Sequence, residues 1–164
     1  VGAGLLHGAD AKGPSELNDG YSTFYHFCDQ ESQLSLLVWI KTMPPGIADY
    51  AKRISATAKD DMAILNKFAA NDAALRLDKV SLPSFERGVR ASMDEDRQKE
   101  MVWKNSGAAF ARSVCMTQSE ATNYGLHVAK VLAATEPDPD RARTMQRIYE
   151  KWAALHAEAS KLVQ

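Results

Sequence analysis

From Phe24 to Leu162 the apolar side chains return every three or four residues, and the interruptions fall on proline and glycine. A chain patterned this way buries its apolar stripe as helices, because a half-buried strand needs alternation at period two. No alternating run flanked by hairpin turns occurs anywhere in the sequence. The spacing predicts helices near residues 19–43, 45–70, 85–104, 108–134 and 138–162, and no sheet.

The stops between these segments have local causes. Phe24, Phe27, Cys28, Leu34, Leu37, Val38 and Trp39 make a wide apolar face that Pro44-Pro45-Gly46 ends. Pro45 suits the first turn of the second helix, whose stripe is Ile47, Tyr50, Ala51, Ile54, Ala58, Leu65 and Phe68. Residues 71–83 are the weakest segment, with one turn of helix expected at 74–77. Ser84 caps a polar helix whose middle, residues 94–100, is a charged run of the kind that forms a solvated face. Ser106-Gly107 precedes a long helix with Phe110, Val114, Ala121, Tyr124, Val128 and Val131 on its apolar side. Asp138 and Pro139 are a cap and first-turn pair for the last helix. Met145, Ile148, Tyr149, Trp152, Leu155, Ala159 and Leu162 form its buried stripe, with Trp152 at the centre. Short connections favour antiparallel neighbours, hence an all-α, up-down four-helix bundle with one additional polar helix.

Charge and composition exclude several classes of function. The 20 basic and 21 acidic side chains leave a net charge of −1, so the basic surplus that non-specific nucleic-acid binding requires is missing. No nucleic-acid partner is expected. The longest apolar run, Leu36 to Ile40, is far short of the ~18 residues of a transmembrane helix. No transmembrane span is expected either.

The first eleven residues read as the tail of an apolar signal segment ending in the small-residue site Ala9-Asp10-Ala11. Cleavage there starts the mature chain at Lys12. Residues 1–18 are therefore read as a signal-like tail and flexible arm, residues 19–164 as the bundle domain, and the location as periplasmic or secreted. Two cysteines, Cys28 and Cys115, are too few for a disulfide framework. An exported chain permits a bridge between them, but helix axes ~8–10 Å apart rarely bring Cα atoms within ~7 Å. Two buried free thiols are the expectation.

Chemistry-bearing motifs are sparse. Glu-x-x-His, His-Glu-x-x-His, a Cys-x-x-Cys-His haem site, a phosphate loop and a nucleophile elbow are all missing. What remains is Glu31 on the stripe of the first helix, Glu120 and His127 seven residues apart on one helix face, His156 beside the last stripe, and His26. Histidines from three helices meeting in a bundle core would bind copper, zinc or haem iron. The metal candidates are Glu31, His127 and His156, set against the plainer reading of rim or hydrogen-bonded positions. No cofactor and no catalytic residue is expected, which points away from an enzyme.

Three stretches carry a resemblance. Residues 45–54 (Pro-Gly-Ile-Ala-Asp-Tyr-Ala-Lys-Arg-Ile), residues 106–112 (Ser-Gly-Ala-Ala-Phe-Ala-Arg) and Trp152 to His156 make the chain resemble a large family of exported bacterial ferritin-like bundles of unknown function. The resemblance implies fold and export. That family often carries an Asp-His pair in its second long helix and a His in its third; this chain has Thr57-Ala58 and Thr122 there, and keeps His156 and Glu31. The expectation is an exported bundle with a non-enzymatic binding or structural role in the cell envelope, where a protein partner has a place. A metal-binding ferritin-like protein and a subunit of a larger membrane-associated complex are the alternatives.

Overall fold

A computed structural model describes residues 14–78, 84–99 and 107–162. Six helices occur among them and no strand: α1 (Pro14–Ser32), α2 (Leu34–Ile40), α3 (Pro45–Asn71), α4 (Ser84–Lys99), α5 (Gly107–Thr135) and α6 (Pro139–Leu162). The proposed cleavage site and the expected helical residues 100–104 lie outside the described residues. The first helix begins at Pro14, five residues before the expected start.

The expected helix over 19–43 is broken at Gln33 into α1 and α2. Ser32 turns its hydroxyl back onto the Asp29 carbonyl at 2.7 Å, a bond that competes with the helical ladder. The break leaves the Ser32 carbonyl without its helical donor. Ser55, buried in α3, supplies one through its hydroxyl and also lies 3.0 Å from the Ser35 hydroxyl. The break also resets the phase of the apolar stripe. Leu34 is buried with Leu37 and Val38 packed on the core, whereas Leu36, Trp39 and Ile40 face outward. Trp39, expected on the inward face, is 88% exposed.

α1 packs on α3 and α5, and α6 packs on the same two helices, which closes a four-membered ring. Tyr21 meets Phe68 while Ser32 meets Ser55, so α1 and α3 are antiparallel. Thr122 meets His156 while Lys130 sits over the Tyr149 ring, so α5 and α6 are antiparallel too. Tyr50 reaches Leu155 and Asp61 reaches Trp152, which sets α3 against α6 in the same sense. It follows that α3 and α5 run the same way across the diagonal of the ring. The antiparallel rule therefore holds for the two short connections, while the α3-to-α5 crossover joins two parallel helices. α4 lies on that crossover and makes no substantial contact with the other described helices.

The core is aromatic at its centre. Tyr21, Phe24, Tyr50, Phe110 and Trp152 are fully buried, and the Phe27 and Trp152 rings meet edge to face at 4.8 Å. The inward face of α5 differs from the expected one: Tyr124 and Val131 are exposed, and Gln118, Thr122 and Gly125 point inward. Small residues there allow the close approach of α1. A Cβ on Gly125 would lie 2.4 Å from two carbons of the Phe27 ring.

The ends are fixed by caps and charge. Gly107 opens α5 at φ +64°, a left-handed conformation that glycine adopts without steric penalty. The Asp138 carboxylate accepts from the backbone N–H of Asp140 and Arg141, each at 2.9 Å, as the sequence predicts for the start of α6. These bonds hold its carboxyl below the usual carboxylate range. At the same end Tyr21 donates to Glu136, and Arg141 pairs with Asp72 at 2.7 Å and Glu136 at 3.1 Å. That network ties α1, the end of α3 and the α5–α6 turn together. Residues 74–77 form turns rather than a turn of helix, with Leu75 and Leu77 tucked against the core.

Candidate functional site

Two regions of the molecule hold unusual groups: the polar interior, and the apolar outer faces of α2 and α4.

In the interior, Asp61 of α3 is fully buried. Its carboxylate accepts from Trp152 Nε1 at 2.8 Å and from the Lys151 ammonium, both on α6. Burial pushes its carboxyl above the ordinary carboxylate value, and the Lys151 bond opposes that shift only in part. Cys28 of α1 is also buried, and burial with the nearby charges of Asp61 and Glu31 raises its thiol far above the usual value. Cys115 is buried as well, and both thiols are free. Tyr50 donates to the Leu155 carbonyl at 2.9 Å and is raised by burial. These hydrogen bonds tie α3 to α6.

The sequence candidates fall in three different settings. Glu31 is buried and faces inward, where its charge reaches Cys28 and Tyr50. His156 is half-buried, with Nδ1 at 3.0 Å from the Ser119 carbonyl and 3.3 Å from the Thr122 hydroxyl. Thr122 of α5 and His156 of α6 are thus neighbours. His127 is exposed on α5, as are Glu120 on the same helix and His26 on α1. The structure sets His127 on the outer face, away from the interior that holds Glu31. Among the described residues, no three His, Cys, Asp or Glu side chains come close enough to hold a metal ion. Buried Gln118 keeps its carbonyl oxygen without a hydrogen-bond partner among the described residues.

Outside, α4 presents Phe85, Val89 and Met93 at i, i+4 and i+8, all exposed, with Phe85 at 83%. Together with Gly88 and Ser92 they line a shallow groove along the helix. A Cβ on Gly88 would meet nothing, so the groove is open there. On α2, Leu36, Trp39 and Ile40 stand at i, i+3 and i+4 on a second outward apolar face. Single exposed apolar residues are ordinary, whereas clustered ones mark surfaces made to be covered. The sequence signal for α4 was present in the spacing of Phe85, Val89 and Met93, beneath the charged run that follows them. For α2 the signal depends on the break at Gln33, which has no proline or glycine to announce it.

No helix among the described residues is long and apolar enough to cross a membrane. The chain matches no protein-family model, no curated protein and no solved structure.

Proposed function

We propose that the chain is an exported, ferritin-like helical bundle that works in the cell envelope as a non-enzymatic binding or structural component. The observation that carries the reading is the pair of outward apolar faces, Leu36/Trp39/Ile40 on α2 and Phe85/Val89/Met93 on α4. Aromatic side chains of this exposure are the usual anchors of protein interfaces. The bundle supports the ferritin-like part of the reading, because one long crossover joins its two parallel helices as in that class of bundles. The interior supports the non-enzymatic part: its fully buried carboxylate, Asp61, ties α3 to Trp152 and Lys151 of α6.

Fractionation and sizing of native extracts test this. The protein is expected in the periplasmic fraction, in an assembly larger than the monomer. A Trp39→Asp/Phe85→Asp variant is expected at monomer size, and Asp61→Asn is expected to leave the assembly unchanged. A cytoplasmic, monomeric wild type contradicts the proposal.

A further inference from the structure

The two apolar faces share a chain, and neither is covered by another described helix. α4 makes no substantial contact with the other described helices, so its stripe is not spent on its own bundle. From Phe85 to Met93 the stripe is ~12 Å long at 1.5 Å per residue, and α2, at seven residues, is ~10 Å long. The exposed face itself, Leu36 to Ile40, spans ~6 Å of α2, about half the length of the stripe.

Charge narrows the choice of occupant. Residues 84–99 contain four acidic side chains (Glu86, Asp94, Glu95, Asp96) and four basic ones (Arg87, Arg90, Arg97, Lys99), so α4 is neutral overall. A helix that lies on a lipid surface carries a surplus of lysine and arginine on its polar face, and α4 has none. α2 (Leu-Ser-Leu-Leu-Val-Trp-Ile) has no charged residue at all, so it neither selects a charged partner nor repels a neutral helix.

Area narrows it further. With two large aromatics among them, the six side chains expose on the order of 800 Å² together. A stable specific interface buries ~800 Å² on each partner. Either face alone falls short of that, and both faces together reach it. Both are covered at once when two copies exchange contacts around a twofold axis, because each copy then contributes one stripe and one receiving face.

We propose that α4 of one copy lays its Phe85–Val89–Met93 stripe on the Leu36–Trp39–Ile40 face of α2 in a second copy, reciprocally, to make a twofold dimer. This rests on reading the chain as an interaction module and names the partner for those faces.

Sedimentation velocity of the purified full chain tests it. The wild type is expected to be a dimer, while Phe85→Asp/Met93→Asp and Trp39→Asp/Ile40→Asp are each expected to be monomers. An equimolar mixture of the two variants is expected to recover a weaker one-to-one complex, since one intact α4 and one intact α2 remain. Far-ultraviolet circular dichroism checks that the helices persist; Val89→Asp and Leu36→Asp replace any variant that loses them.

A monomeric wild type overturns the proposal, and so does a dimer that survives either pair of substitutions. A monomer that instead sediments with vesicles of phosphatidylcholine and phosphatidylglycerol assigns the faces to a lipid surface and equally overturns it. Failure here leaves the native-extract assembly intact if its partner is a different protein, so the two readings fail separately.

Discussion

Gly125 of α5 lies against the ring of Phe27 of α1, with no room for a side chain between the two helices. The same ring packs edge to face on Trp152, so the close approach of α1 and α5 positions the aromatic centre of the bundle. Gly125→Ala gains roughly 1 kcal/mol of helix propensity. Overpacking against Phe27 costs about 1–3 kcal/mol. The substitution is expected to destabilise the protein by about 1 kcal/mol in urea unfolding. A more stable variant would show that the ring moves aside freely.

The break at Gln33 is held by Ser55. Its hydroxyl is the donor that the Ser32 carbonyl loses when the helix stops. Ser55→Ala leaves that carbonyl and the Ser35 hydroxyl without this partner, at a cost of about 1–3 kcal/mol. Thermal or urea unfolding of the variant measures it, and a change near zero would mean that water replaces the serine.

Asp61 makes stability depend on pH in a direction opposite to that of most paired carboxylates. Its folded-state value lies above 3.8, so the folded protein holds this proton more tightly than the unfolded chain does. The stabilisation from the protonated form is complete below the unfolded value and is lost as pH rises through the folded one. Asn at this position still accepts from Trp152 Nε1, and Lys151 turns to solvent. Asp61→Asn should therefore gain stability relative to wild type between about pH 4 and about pH 7. Urea unfolding of both proteins at the two pH values reads the difference; a gap that is constant or shrinks as pH rises would show that Asp61 does not titrate this way.

The helices were legible because their causes are local. Pro45, Gly107 and the Asp138-Pro139 pair each act within a turn of their own position, and four of the five expected segments match observed helices to within a few residues over the described residues. The pieces that escaped depend on distant partners or on phase. Asp61 stands seven residues after Ile54 and four before Leu65, on the stripe itself, and that spacing is the signal of an inward carboxylate. Its partners, Lys151 and Trp152, lie on another helix and no local pattern names them. The exposure of Trp39 follows from a break at Ser32-Gln33, where serine back-bonding and a tertiary contact act in place of proline or glycine. On α5, Phe110, Val114, Ala121 and Val128 face the core as the spacing predicts and only Tyr124 and Val131 do not, because Gln118, Thr122 and Gly125 share the buried face and small or polar residues carry no hydrophobic signal. Burial of Trp152 was legible, since it sits at the centre of a continuous apolar stripe.

The placement of the candidate ligands also predicts metal content. His127 is exposed and Glu31 is buried, while His156 Nδ1 faces the Ser119 carbonyl. A stable site needs three or four donors within ~2.0–2.3 Å of one ion. Protein purified without added metal is expected to hold well under one equivalent of iron, copper or zinc by elemental analysis. A stoichiometric metal that His156→Ala removes would restore the metal-binding alternative.

The central claim is that the protein acts through the outer faces of α2 and α4 and not through its interior. In-cell photocrosslinking tests this most directly, with benzoylphenylalanine placed singly at Trp39, at Phe85 and at exposed Glu150 of α6 as a control position. Specific protein adducts are expected at 39 and 85 and none at 150. Absence of adducts at both 39 and 85, or equal labelling at 150, would contradict the account.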